Sequence, residues 1–127
     1  MADQKTVLLV EDEQFLSNLL KARLEAGGAK VIQAFDGDAA IKNLKEVKPD
    51  LILLDIILPK ISGFELLEMI NADPNLQAGP VMIISNLGQD TDVERGKTLG
   101  AVDYFVKAKV SIDELVRKIE DFLAQSK

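Results

Sequence analysis

Three short runs that are almost wholly apolar, "TVLLV" (6–10), "LILLD" (51–55) and "VMIIS" (81–85), limit what this chain can become more than any other feature. Strands of that kind must be covered on both faces, which is the position of central strands in a parallel sheet. Two further runs, "KVIQAF" (30–35) and "DYFVK" (103–107), mix polar and apolar residues and suit the edges of the same sheet. Between the runs lie segments with helical spacing: Leu16, Leu19, Leu20 and Leu24, then Ala40, Ile41, Leu44 and Val47, then Gly63, Leu66, Leu67 and Ile70. The alternation is (βα)5. Right-handed crossovers with both sheet faces covered make this a doubly wound α/β domain of three layers, its five parallel strands ordered 2-1-3-4-5.

The last helix is the best marked, because Ser111 with Glu114 forms a capping-box pattern ahead of Leu115, Ile119, Phe122 and Leu123; Ser62 with Glu65 repeats the signature at the third helix. The fourth, within "DTDVERGKTLG" (90–100), offers Val93 and Leu99 but also Gly96, and is expected to be the least stable. A chain of 127 residues with 47% apolar and 28% charged residues supports one domain, read over 1–127. A net charge of −6 without a basic run argues against direct contact with nucleic acid. There is no cysteine for a disulfide framework and no histidine for the commonest general base. The start "MADQK" leads into a strand rather than a secretory segment, and no apolar stretch approaches a membrane span, so a cytoplasmic protein is expected.

In an open parallel sheet, chemistry gathers at the carboxyl ends of the strands. There the first strand delivers Glu11, Asp12 and Glu13, the third Asp55, the fourth Ser85 and the fifth Lys107. Taken singly, each has a plain structural role: the acids complement a helix N-terminus, Asp55 or Ser85 caps a turn, and Lys107 is a solvated strand end. Together they point to chemistry. The first loop lacks the glycines of a phosphate cradle, and acids there invite a cation. Asp12 and Asp55 as hard oxygen ligands suit Mg²⁺, with Glu11 reaching it through water and the Ile57 backbone carbonyl as a further ligand. Lys107 and the Ser85 hydroxyl, facing such a carboxylate, would cradle phosphoryl oxygens, which makes Asp55 the nucleophile and an acyl phosphate the product.

These residues, in this order, resemble the receiver domain of response regulators in two-component signalling, a flavodoxin-like fold. The likeness rests on Glu11-Asp12, on "DIILPKISG" (55–63) with Pro59 and Gly63, on Ser85, and on "GAVDYFVK" (100–107) with an aromatic three before the lysine. The resemblance implies that Asp55 accepts a phosphoryl group from a sensor histidine kinase or phosphotransfer protein, with Mg²⁺ on Asp12 and Asp55. It also implies that Ser85 and Tyr104 switch together, signalling to an unknown output protein through the fourth helix, fifth strand and fifth helix. Such a chain is no turnover enzyme; it catalyses only its own phosphoryl transfer and loss. A monomer or a phosphorylation-dependent dimer both fit.

The chain departs from the family at several places. Ala108 stands where proline usually follows the lysine, which puts a cis bond there in question; Asn86 is larger than the usual small residue, and Leu58 replaces a frequent methionine. Ile57 and Leu87 are apolar where polar residues often orient water, so slow self-dephosphorylation is expected. Ile57 also argues against an aspartyl-phosphate phosphatase, which needs a second acid there. A hydroxyl- and glycine-free "EDEQF" excludes a flavodoxin-type cofactor site. With the chain ending at "AQSK", a switch that stands alone is the first reading; a receiver cut from a longer regulator and a phosphorylation-independent interaction scaffold are the alternatives.

Overall fold

The computed structural model describes residues 4–76 and 78–125; the readings placed on the first three residues and on the end of "AQSK" lie outside the described residues. Five parallel strands, β1 (Thr6–Val10), β2 (Lys30–Ala34), β3 (Leu51–Leu54), β4 (Val81–Ser85) and β5 (Asp103–Val106), form one sheet in the order β2-β1-β3-β4-β5. The helices between them are α1 (Gln14–Ala26), α2 (Gly37–Glu46), α3 (Gly63–Ala72), α4 (Asp90–Thr98) and α5 (Ile112–Gln125). This is the expected doubly wound arrangement, with the two mixed runs at the edges.

The central strands are apolar on both faces because each face meets its own core. Leu8, Val10, Ile52, Leu54, Val81 and Ile83 join Ala40 and Leu44 of α2 and Leu66, Leu67 and Ile70 of α3. Their alternate neighbours Val7, Leu9, Leu51, Leu53, Met82 and Ile84 meet Leu20 and Leu24 of α1 and Leu115, Ile119 and Leu123 of α5. At about 25 cal/mol per Å² of apolar surface removed from water, these two layers supply the main drive to fold. The capping box at Ser62 forms in both directions, with Glu65 N–H on Ser62 Oγ at 3.1 Å and Ser62 N–H on Glu65 Oε1 at 3.3 Å. Ser111 Oγ likewise accepts from Glu114 N–H at 3.1 Å.

Helix α4 docks as weakly as its sequence implies, since Gly96 is its one buried residue. Polar ties at its edges supplement that contact. Arg95 lies 4.5 Å from the centre of the Phe64 ring and 3.2 Å from Glu68 Oε1, and Asn71 Nδ2 donates to the Leu99 carbonyl at 2.8 Å.

The loop leaving β3 turns through Lys60, which has φ +72°, the one non-glycine residue in the left-handed region among the described residues. Its ammonium lies 3.5 Å from Asp38 and 3.9 Å from Asp36, both at the start of α2. Such exposed pairs contribute about 0–1 kcal/mol, while the left-handed backbone costs a non-glycine residue about 1–2 kcal/mol. Lys60→Gly is therefore expected to leave stability unchanged or raise it by up to about 1 kcal/mol in urea unfolding. A clear loss would show that the ion pairs outweigh the backbone strain.

Candidate functional site

The parallel ladders decide which side chains meet at the carboxyl edge of the sheet. Val10 is in register with Leu54, and Asp55 N–H donates to the Val10 carbonyl at 2.9 Å, so Glu11 and Asp55 emerge side by side. Ser85 is in register with Val106, which places Lys107 next along the same edge. Four strands thus bring two acids, a hydroxyl and an ammonium into one row.

Lys107 is the hub of that row. Its Nζ lies 2.7 Å from Glu11 Oε1 and 2.9 Å from Asp55 Oδ2, with Glu13 Oε2 farther off at 3.9 Å. Glu11 is wholly buried and Asp55 nearly so. Two buried carboxylates this close would repel and lose hydration, and the shared ammonium offsets both costs. Backbone groups take the remaining oxygens: Glu13 N–H donates to Glu11 Oε2 at 3.0 Å, and Ile57 N–H to Asp55 Oδ1 at 3.1 Å. Glu11 Oε1 has no hydrogen-bond partner among the described residues and is held only by the ion pair. Glu11, read from the sequence as reaching a cation through water, thus makes a direct ion pair with Lys107, a buried role that its place in an exposed-looking acidic triplet did not signal.

The charges are tuned accordingly. Burial, reinforced by the Asp55 charge, pushes the Glu11 carboxyl up to about 7, against the opposing pull of Lys107 and the Glu13 N–H. Burial works against the Lys107 ammonium too, but Glu11 and Asp55 together outweigh it and hold its pKa above the ordinary lysine value.

Asp12 is exposed, and one carboxylate oxygen from each of Glu11, Asp12 and Asp55 falls within 4.8 Å of the others. Three hard oxygen donors at that spacing fit a hard divalent cation such as Mg²⁺. The Ile57 side chain is 51% exposed beside them. Gly63 closes the floor of the site, because a Cβ there would stand 2.3 Å from the Asp55 carbonyl oxygen. Nothing larger fits under the Asp55 backbone.

Ser85 is fully buried, its Oγ accepting from Leu87 N–H at 3.3 Å, and Tyr104 is buried with its hydroxyl donating to the Leu87 carbonyl at 2.5 Å. The two side chains named together from sequence therefore hold the two ends of one backbone unit, the N–H and C=O of Leu87. Burial, with the charges of Asp92 and Asp55, raises the Tyr104 pKa. The Lys107–Ala108 bond is trans, and the chain passes through a 3₁₀ turn at Lys107–Lys109. A groove of about 360 Å³ opens beside Lys107, lined by Glu13, Phe15, Asn86 and Ala108 among others, with Phe15 76% exposed.

Comparison with known proteins bears on the family and the fold. The family model described as "Response regulator receiver domain" matches residues 7–120. The chain is 37% identical over 121 residues to the phosphate regulon transcriptional regulatory protein PhoB of Rhizobium meliloti, covering 95% of this chain and 53% of that one. It spans about half the length of such transcriptional regulators. Protein PilH of Pseudomonas aeruginosa is 34% identical over 118 residues, 93% of this chain and 97% of that protein. Among solved structures, the Francisella response regulator 1452 receiver domain superposes with a TM-score of 0.87 at 27% identity, covering 98% of this chain and 100% of that one.

The tuned Glu11 carboxyl gives a pH signature. Unfolded it titrates near 4.5 and folded near 7, so between those values the fold holds a proton that the unfolded chain has lost. The stability that this proton contributes is complete below the unfolded value and disappears as pH rises through the folded one. Without divalent cations, the melting midpoint is expected to fall from about pH 5 to about pH 7.5, and Glu11→Gln to flatten that slope. An unchanged slope in the variant would assign it to other groups.

Proposed function

The chain belongs to the response-regulator receiver family of two-component signalling, whose members are phosphoryl-accepting switches, and on that premise we propose that Asp55 is its phosphoacceptor. The observation that carries the reading is the placement of a nearly buried carboxylate between Lys107 at 2.9 Å and two further acids within metal-binding reach. In the proposed transfer, an Asp55 carboxylate oxygen forms the new bond to phosphorus while the bond from phosphorus to a ring nitrogen of the donor histidine breaks, and that nitrogen keeps the electron pair. Mg²⁺, held by Asp12 and Asp55 with Glu11 and the Ile57 carbonyl in support, would neutralise charge between nucleophile and phosphoryl group. Lys107 and the Ser85 hydroxyl stabilise phosphoryl oxygens from the other side. The exposed Asn86 lines the groove beside Lys107, where a donor would approach.

A sensor histidine kinase or phosphotransfer protein is the proposed donor, and the single receiver domain read over 1–127 acts as a switch that modifies itself rather than turning over an external substrate. Ser85 and Tyr104 couple the site to a surface of α4, β5 and α5. What supports that coupling is their shared hold on Leu87, because a phosphoryl oxygen that accepts from the Ser85 hydroxyl pulls away the Oγ on which the Leu87 N–H rests. Ile57 and Leu87, both apolar, shield the acyl phosphate from water and make its loss slow.

Incubation with Mg²⁺ and a small acyl-phosphate donor is expected to add the mass of one phosphoryl group, and none in Asp55→Asn. After donor removal, Ile57→Asn is expected to lose that mass faster than the parent. No gain under any donor would favour the interaction scaffold, and equal decay in both chains would remove the shielding role of Ile57.

A further inference from the structure

Gly96 presents a contradiction between local and tertiary preference. Glycine in a helix interior weakens the helix relative to alanine, and α4 is already the most weakly docked helix of the fold. Yet Gly96 is its one buried residue, the point at which the helix comes down on the sheet. Its neighbours there are Ile83 of β4 and Tyr104 of β5, which are in register across the adjacent strands. A Cβ at position 96 would stand 2.7 Å from Ile83 Cδ1, 2.9 Å from Tyr104 Cδ2 and 3.2 Å from Tyr104 Cε2.

The two conflicts differ in kind. Ile83 Cδ1 is the end of a flexible side chain and can turn aside. The Tyr104 atoms belong to a rigid ring, 9% exposed, whose far end is fixed by the hydroxyl's hydrogen bond to the Leu87 carbonyl. The ring can retreat only by straining that bond, and α4 can rise only by giving up its buried contact. Edge ties through Arg95 to Glu68 and Phe64, and through Asn71 to Leu99, hold the helix down on the side of α3.

We propose that Gly96 is the positioning residue for Tyr104: the missing side chain is the seat for the buried ring, so that α4 and the ring can both be down only because position 96 is glycine. A larger residue sets the two against each other, and either the ring or the helix gives way, exposing more of Tyr104 in both cases. This deepens the switch reading and rests on it for the ring's part in signalling, but not for the ring's position.

The chain has a single tyrosine and no tryptophan, so its intrinsic fluorescence reports on Tyr104 alone. Quenching by acrylamide is expected to be weak in the parent and to rise toward that of free tyrosine in Gly96→Ala. Melting midpoints of Gly96→Ala, Tyr104→Ala and the double variant provide a second measurement that holds even where one variant is fragile. Once the ring is gone, Gly96→Ala should raise the midpoint as a helix-favouring substitution; with the ring present it should lower it. A quenching constant unchanged by Gly96→Ala overturns the proposal, as does strict additivity of the midpoints. Phosphoryl uptake weighed on the same samples reports separately: its absence in the parent would remove the switch reading and leave the seat standing.

Discussion

The contact on which the site depends is the double ion pair of Lys107 with Glu11 and Asp55, at 2.7 and 2.9 Å. It ties together the ends of β1, β3 and β5, and it allows two carboxylates to sit buried where hydrophobic strands deliver them. An isolated buried carboxylate would be too costly to keep ionised, and an isolated buried ammonium equally so. Each is tolerated because the others are present. The remaining oxygens are mostly met by backbone N–H groups, which fixes the carboxylates' orientation without adding charge.

From that fixed edge the structure becomes progressively softer toward α4. The core beneath β1, β3 and β4 is double-sided and apolar, whereas α4 rests on a glycine, the partly buried Val93 and polar ties to α3. Ser85 and Tyr104 stand at the boundary between the two regimes, one on each end of the Leu87 backbone unit. A change at Asp55 that engages the Ser85 hydroxyl thus acts where the fold is least able to resist it.

The sheet was legible because burial on both faces writes itself as an uninterrupted apolar run, and edges as mixed ones; "LILLD" and "KVIQAF" sorted correctly on that ground alone. Asp55, Ser85 and Lys107 were legible as strand ends once the topology was in hand, and the Ser62 and Ser111 caps by their spacing to glutamate. Less could be read of what depends on side-chain direction. The acidic triplet 11–13 gives no hint that Glu11 turns inward to full burial while Asp12 stays exposed. Lys60 carries no mark of its left-handed backbone. Gly96 looked like a weakness in a helix, and only its distance to the Tyr104 ring shows what the absent side chain makes room for.

Glu11, Asp55 and Lys107 stand or fall as a unit, and a stability cycle shows it. Melting midpoints would be compared for the parent, Glu11→Gln, Lys107→Met and the double variant, without divalent cations and at a pH well above the Glu11 value of about 7, where that carboxyl is ionised. Lys107→Met alone is expected to be strongly destabilising, since it leaves two buried carboxylates without their shared ammonium, and adding Glu11→Gln to recover part of the loss. Additive effects of the two substitutions would contradict their acting as a unit.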